Sequence, residues 1–178
     1  MRLPIAALAL LLLTVGCSAV KIGEHSGAID YDGSPKRIFI VNQLNVSADK
    51  ALPGDFAAAI APALAACNIA VSIYNPNPME LDAEAKIKAA VQNFKPDAVL
   101  AFHLTFRFVS NGATSGETYS VKLYDATQKR EVWHGESQVH WAFRQEMLGA
   151  SMADQLLRTM VGDNVIKTCP PFTPVKQG

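Results

Sequence analysis

Apolar and polar positions along this chain change period several times, and each change marks an element. Arg37-Ile38-Phe39-Ile40-Val41 is a short β-branched run that predicts a buried strand. From Gly54-Asp55 to Ala66 the period becomes helical, with Phe56, Ile60 and Leu64 on one face and Asp55 as the expected N-cap. Pro62 lies inside that pattern and predicts a bend, because it lacks a backbone donor and crowds the preceding turn. Residues 69–74 return to a strand pattern, and Asn75-Pro76-Asn77-Pro78 ends it. Asp82 to Phe94 is a second helix with Ala83, Ile87, Ala90, Val91 and Phe94 as its inner stripe.

Residues 98–108 read as one long strand. Its first half is apolar on both faces. Its second half alternates, with Phe102, Leu104, Phe106 and Phe108 inward and His103, Thr105 and Arg107 outward. A Gly-rich hairpin, 111–116, leads to a strand over 117–124 with Tyr119, Val121 and Leu123 inward. A turn at 125–128 leads to a strand over 130–141. A last helix from Phe143 to about Met160 carries the stripe Met147, Met152, Leu156, Leu157 and Met160, with Gly149 as a weak point.

The order is β-α-β-α-β-β-β-α. Right-handed crossovers make the first three strands parallel, and hairpins make the last three antiparallel. The expected fold is a single α/β domain over residues 37–168, a mixed five-stranded sheet with helices mainly on one face. Residues 169–178 are expected to be a C-terminal tail.

The start of the chain obeys another pattern. Met1-Arg2 precedes an apolar run to Leu13, too short for the roughly 20 residues that cross a bilayer. Small residues and a cysteine follow, in Leu13-Thr14-Val15-Gly16-Cys17, which resembles the bacterial lipobox. The resemblance implies that residues 1–16 are a removed signal peptide and that Cys17 carries the lipid, whose acyl chains anchor the protein to the membrane. Ser18 stands where Asp would imply inner-membrane retention, so the resemblance implies the outer membrane, facing the periplasm. Residues 17–36, with scattered Gly, Ser and charge, are expected to be the lipidated cysteine and a flexible tether.

The chain holds 16 basic and 16 acidic residues in 178, without a basic run. That gives no electrostatic reason to bind nucleic acid. Three cysteines are present, and lipidation takes Cys17. An oxidising periplasm then lets Cys67 and Cys169 bond, since each follows a helix that should pack beside the other. The alternative is two separate thiols.

Candidate chemistry is sparse. His134, Glu136 and His140 share one face of their strand, but six residues at about 3.3 Å each hold the two histidines roughly 20 Å apart, beyond a shared metal; a pair such as His134 and Glu136 with cross-strand His103 stays open beside the reading of a solvated sheet face. Ser115 lacks the nucleophile-elbow pattern. No cofactor is implied. Two surfaces suit binding. One is the outward sheet face of His103, Thr105, Arg107, Lys122, Tyr124, His134, Glu136 and His140, where an exposed Arg107→Glu exchange should leave folding nearly intact. The other is the carboxyl edge of the parallel strands, with Asn42, Gln43, Asn45, Asn75 and Asn77.

Lys95-Pro96-Asp97-Ala98-Val99-Leu100 entering the central strand, and Leu123-Tyr124-Asp125 before Glu131-Val132-Trp133, complete a pattern. Over most of residues 37–161 it resembles a broad group of Gram-negative lipoproteins. The group includes curli-secretion lipoproteins, activators of penicillin-binding proteins and the amino-terminal domain of the Tol propeller protein. The resemblance implies a non-catalytic binding or assembly factor with an envelope protein partner. Two other classes stand beside it: a hydrolase-type enzyme on the polar sheet face, and a ring-forming secretion or pore component.

Overall fold

Alternating β-branched and aromatic residues build the sheet, and its order follows from how the strands connect. The computed structural model describes residues 20–77, 79, 81–141, 147–167 and 169. The lipidation expected at Cys17 lies outside them. Six strands, β1 (Val20–Gly27), β2 (Arg37–Val41), β3 (Ala70–Tyr74), β4 (Ala98–Ser110), β5 (Ala113–Asp125) and β6 (Arg130–His140), form one sheet in the order β1-β6-β5-β4-β2-β3. β2 pairs in parallel with β3 and β4, and the remaining pairs are antiparallel. Three helices, α1 (Leu52–Ala66), α2 (Ala83–Phe94) and α3 (Leu148–Gly162), complete the domain. Among the described residues, no helix is long and apolar enough to cross a membrane.

The sheet has six strands, not five. Val20–Gly27, expected to lie in a tether, pairs with β6 from Val20↔Val139 to Gly27↔Trp133. A register shift between Ile22 and His25 breaks its alternation, so no period of two shows in the sequence. Long-range polar bonds hold it: Gln155 Nε2 of α3 donates to the Val20 carbonyl (2.7 Å), and His25 Nδ1 lies 2.8 Å from Asp163 Oδ2.

The helices also divide differently. α1 and α3 lie on one face, where Phe56 meets Phe102 edge-to-face at 5.0 Å. α2 lies on the other, where Phe94 packs on Phe39 at 6.2 Å and Arg37 sits 4.6 Å over the Phe94 ring. Two right-handed crossovers in opposite directions along the sheet must use opposite faces. The expected stripe of α2 is real but only half-buried, because it covers the sheet's narrow β2–β3 end.

α1 is continuous through Pro62. That residue and Ala58, whose carbonyl loses its partner, are both exposed, so water can take the missing bond. α3 begins at Leu148, and Met147 is an exposed left-handed residue outside the buried stripe. Met152, Leu156, Leu157 and Met160 are fully buried. Gly149 is the contact point between α1 and α3. A Cβ there would lie 2.3 Å from the Phe56 backbone nitrogen and 2.7 Å from the Leu52 carbonyl oxygen. Cys67, closing α1, is bonded to Cys169 beyond α3, 102 residues later.

Two predictions follow from this packing. Gly149→Ala should destabilise the protein by about 1–3 kcal/mol in spite of alanine's better helix propensity. Gly54→Ala, with nothing within 4 Å of the added carbon, should be neutral or stabilising; equal denaturation midpoints for the two variants would contradict the close approach. Separately, Cys169→Ser should cost on the order of 3 kcal/mol, with about 4.7 as the chain-entropy ceiling for a loop near 100 residues. Thiol titration of unreduced, denatured protein should find neither Cys67 nor Cys169 free.

Candidate functional site

β4 does not keep one parity along its length. Leu104 pairs with Tyr119, Phe106 with Thr118 and Arg107 with Glu117, so the register slips by one residue at Thr105. A bulge of this kind carries every later side chain to the other face. Arg107 therefore points to the α1 side, while Phe106 and Phe108 point to the open side. Thr105 marks the bulge, its Oγ1 donating to the Thr118 carbonyl at 3.0 Å. The outward placement expected for Arg107, and the inward placement expected for Phe106 and Phe108, are both reversed.

Arg107 meets a fully buried carboxylate. Glu117 takes Arg107 Nε at 2.9 Å, Ser47 Oγ at 2.7 Å and the Ala48 N–H at 3.1 Å, and it also accepts from the Tyr119 hydroxyl. Burial pushes this carboxyl up, but the bonds from Tyr119, Ser47, Arg107 and Ala48 outweigh it and hold the group below its ordinary value. Tyr119 is pushed the other way, first by burial and then by Glu117, so it stays a neutral donor. Arg107 Nη2 donates onward to the Val46 carbonyl. The cluster pins the short 3-10 turn at Gln43–Val46, and the loop into α1, against β4 and β5. The cue in the sequence was parity: Glu117 continues the inward series Tyr119, Val121, Leu123.

On the open face, Lys122 Nζ lies 2.9 Å from Glu131 Oε2, and Glu131 Oε1 lies 3.1 Å from His134 Nδ1. Glu136 accepts from Gln138 at 2.8 Å. His103 is exposed opposite Ser120, and Tyr124 is exposed opposite Val99. At the far end an aromatic row replaces the charges. Phe106 and Phe108 meet edge-to-face at 4.9 Å, and Phe108 lies 5.0 Å from His140 across the intervening β5. Gly116 makes that contact possible, since a Cβ there would sit 2.8 Å from His140 Nδ1 and 2.7 Å from the Val139 carbonyl oxygen. The structure thus groups Lys122 and His134 through Glu131, and sets His140 apart with the phenylalanines.

The carboxyl edge of the parallel strands is knitted together by its own amides. Asn42 Nδ2 donates to Asn75 Oδ1 (2.7 Å) and the Pro53 carbonyl (3.2 Å), and Asn45 donates to the Pro76 carbonyl. Asn77 Oδ1 accepts from the Met79 N–H at 3.0 Å, and Gln43 opens the 3-10 turn. Ser115 Oγ turns to the Phe108 carbonyl. Among the described residues, no three His, Cys, Asp or Glu side chains converge for a metal. Among the described residues, one shallow depression lies between α1 and α3 at Asp55, Ala58, Ala59, Met147 and Ala150, and another along β1 and β6 at Lys21, Ile22, Gly23, Glu24, Glu136 and Gln138.

No family model matches the sequence, and a search of curated proteins finds no match. Solved structures do resemble it. A PelC dodecamer from Paraburkholderia phytofirmans shares 14% identity over 85% of this chain and 99% of its own, with a TM-score of 0.50. A single-substitution variant of PelC from the same organism, also a dodecamer, shares 18% over 77% and 94%, at 0.46. A DUF330 protein of Xanthomonas campestris shares 10% over 79% and 89%, at 0.37. The first of these likenesses establishes a common fold.

The Glu117 cluster generates a prediction with a definite sign. A carboxyl held low in the folded state stabilises the protein above the ordinary value of 4.5, and the contribution is lost as pH falls through the lowered value. Glu117→Gln should therefore be less stable at pH 7 and show a shallower loss of stability below about pH 4.5. Arg107→Glu should not be the mild exchange expected of an exposed residue, because it sets a second carboxylate against a buried one. Its cost should be about 3 kcal/mol or more, and urea titrations giving under about 0.5 kcal/mol would contradict the cluster.

Proposed function

We propose that this chain is a non-catalytic, lipid-anchored assembly factor of the Gram-negative outer membrane, facing the periplasm and belonging to the secretion-related envelope proteins. The observation that carries the reading is the open face of β1, β6, β5 and β4. No described helix packs over it, and it presents Lys122, Glu131 and His134 at one end and an aromatic row at the other. Broad, flat surfaces of mixed charge and aromatic character suit protein partners better than small substrates, which need concave sites. The Cys67–Cys169 bond supports an oxidising compartment, as does the signal-like pattern of residues 1–17. Lys122, Glu131 and His134 are paired at the surface of the open face, and Glu117, whose carboxyl is held below its ordinary value, is enclosed by structural donors. Neither arrangement offers a general base to a substrate.

The ring-forming reading draws support from the PelC likeness, since that neighbour is a dodecamer. The sheet ends in two edge strands, β1 and β3, that pair on one side only. Such edges favour addition of further strands or subunits.

Both readings meet one set of measurements. Cys17→Ala should move the protein from the outer-membrane fraction to the soluble periplasm. A photoreactive residue at position 122 should cross-link in cells to an envelope protein, and native mass spectrometry of the unacylated protein should then separate the readings. A single copy with a foreign adduct fits the assembly factor; a closed multiple of one mass fits the ring. Unaltered fractionation of Cys17→Ala, with no adduct from position 122, would overturn the proposal.

A further inference from the structure

The anchor, if it is at Cys17, leaves the domain very little freedom. Two residues separate Cys17 from Val20, which is fully buried and paired to Val139 in the sheet. Three residue steps reach at most about 11 Å. Val139 pairs in turn with Glu117, and Glu117 with Arg107, so these residues mark one level across four strands. Continued backwards, β1 leaves the sheet at the end where the β4–β5 hairpin emerges. Past Arg107 that hairpin runs on through Phe108, Val109 and Ser110 before turning at Asn111-Gly112. Three strand residues rise about 10 Å, so the hairpin apex stands about as far out as the tether can reach.

Several exposed apolar residues lie toward the same end. Among the described residues, the exposed large apolar side chains are Ile29, Val46, Met79, Leu81, Phe106, Val109, Tyr124 and Met147. Phe106 (56% exposed) and Val109 (65%) are on the hairpin, and Val46 is tied to Arg107 beside it. Met147 (67%) precedes α3 on the connection that leaves β6 in this direction. Met79 and Leu81 follow β3, which ends at Tyr74 on the level of Val41 and Ala101, well short of Arg107. Ile29 and Tyr124 lie toward the opposite end. Phe106 and Val109 on the hairpin, with Val46 beside it, are grouped rather than scattered, and such groups mark candidate contact sites.

We propose that this pole, led by Phe106 and Val109 on the β4–β5 hairpin, is a bilayer-docking surface that rests end-on in the headgroup layer of the membrane bearing the anchor. The occupant is the lipid surface itself, because a lipid on Cys17 holds this end of the sheet within about 11 Å of the bilayer, the distance by which the hairpin projects. Apolar and aromatic side chains are favoured in that layer. The consequence is an orientation: the sheet stands on the membrane, with its open face directed sideways. This inference deepens the lipoprotein reading and rests on it.

The test separates the two. Residues 17–178 are purified with the Cys67–Cys169 bond intact, which leaves Cys17 as the free thiol, and Cys17 is coupled to a maleimide lipid in phosphatidylethanolamine–phosphatidylglycerol vesicles. Val109→Trp and Ile29→Trp variants are compared for quenching by brominated acyl chains, over the background of Trp133 and Trp141. The expected result is about threefold or greater quenching of the Val109 probe over the Ile29 probe, as an interfacial tryptophan requires. Equal quenching overturns the docking surface. So does a blue shift of the Val109 probe on concentrating the protein without vesicles, which assigns the pole to a second copy. The mass of the native protein from cells tests acylation by itself: an unacylated mass refutes the anchor while leaving the vesicle result to stand or fall alone.

Discussion

A buried carboxylate needs partners, and the requirement of Glu117 shapes the middle of this fold. Removing one ion from water costs several kcal/mol unless hydrogen bonds replace its hydration. Here four donors supply them from three segments: Arg107 on β4, Tyr119 on β5, and Ser47 and the Ala48 N–H on the loop into α1. Two strands and a loop are thereby fixed to one point. With Arg107 on its original parity, the guanidinium would face solvent across the sheet. The bulge at Thr105 brings it to the carboxylate.

The bulge has a second consequence on the opposite face. Turning Arg107 inward turns Phe106 and Phe108 outward, where they are half-exposed or exposed instead of buried. An electrostatic demand inside thus creates the aromatic row outside. Gly116 extends the row by letting Phe108 reach His140 over the strand between them, a close approach that any side chain at 116 would block. The interior polar cluster and the candidate contact surface are two sides of one backbone irregularity.

This explains which features could be read from the sequence. Strands at 37–41 and 69–74, the stripes of α1 and α2 and the end of α1 rest on local periods, and these are visible in a linear chain. The Cys67–Cys169 pair followed from a count and from two helices placed side by side. The bulge was hidden because alternation through Phe102, Leu104, Phe106 and Phe108 continues in the letters while the backbone slips beneath it. β1 was hidden for a related reason: its shift between Ile22 and His25 destroys the period, and its place is set by Gln155 and Asp163 far along the chain. Partition of α1 and α2 to opposite faces was implicit in the handed crossovers, which give each helix a side once the strand order is known. Of the expected open face, Lys122, Tyr124, His134, Glu136, His140 and His103 are on it, Thr105 is in the bulge and Arg107 is on the other side.

The two poles of the molecule differ in how they are made. At the end away from the hairpin, α1 and α3 finish beside each other and the disulfide joins them, while Asp163 binds both His25 and Trp133. At the hairpin end, the same helices are brought together by Gly149 without a covalent tie, and the connections carry exposed Val46, Val109 and Met147. A disulfide limits the unfolded chain and holds its end of the helix pair whatever the surroundings. Apolar loops gain their stabilisation only when something removes them from water. One pole is therefore held by a covalent tie of its own, and the other, where β1 begins at Val20, is held by close packing and carries exposed apolar side chains on its connections.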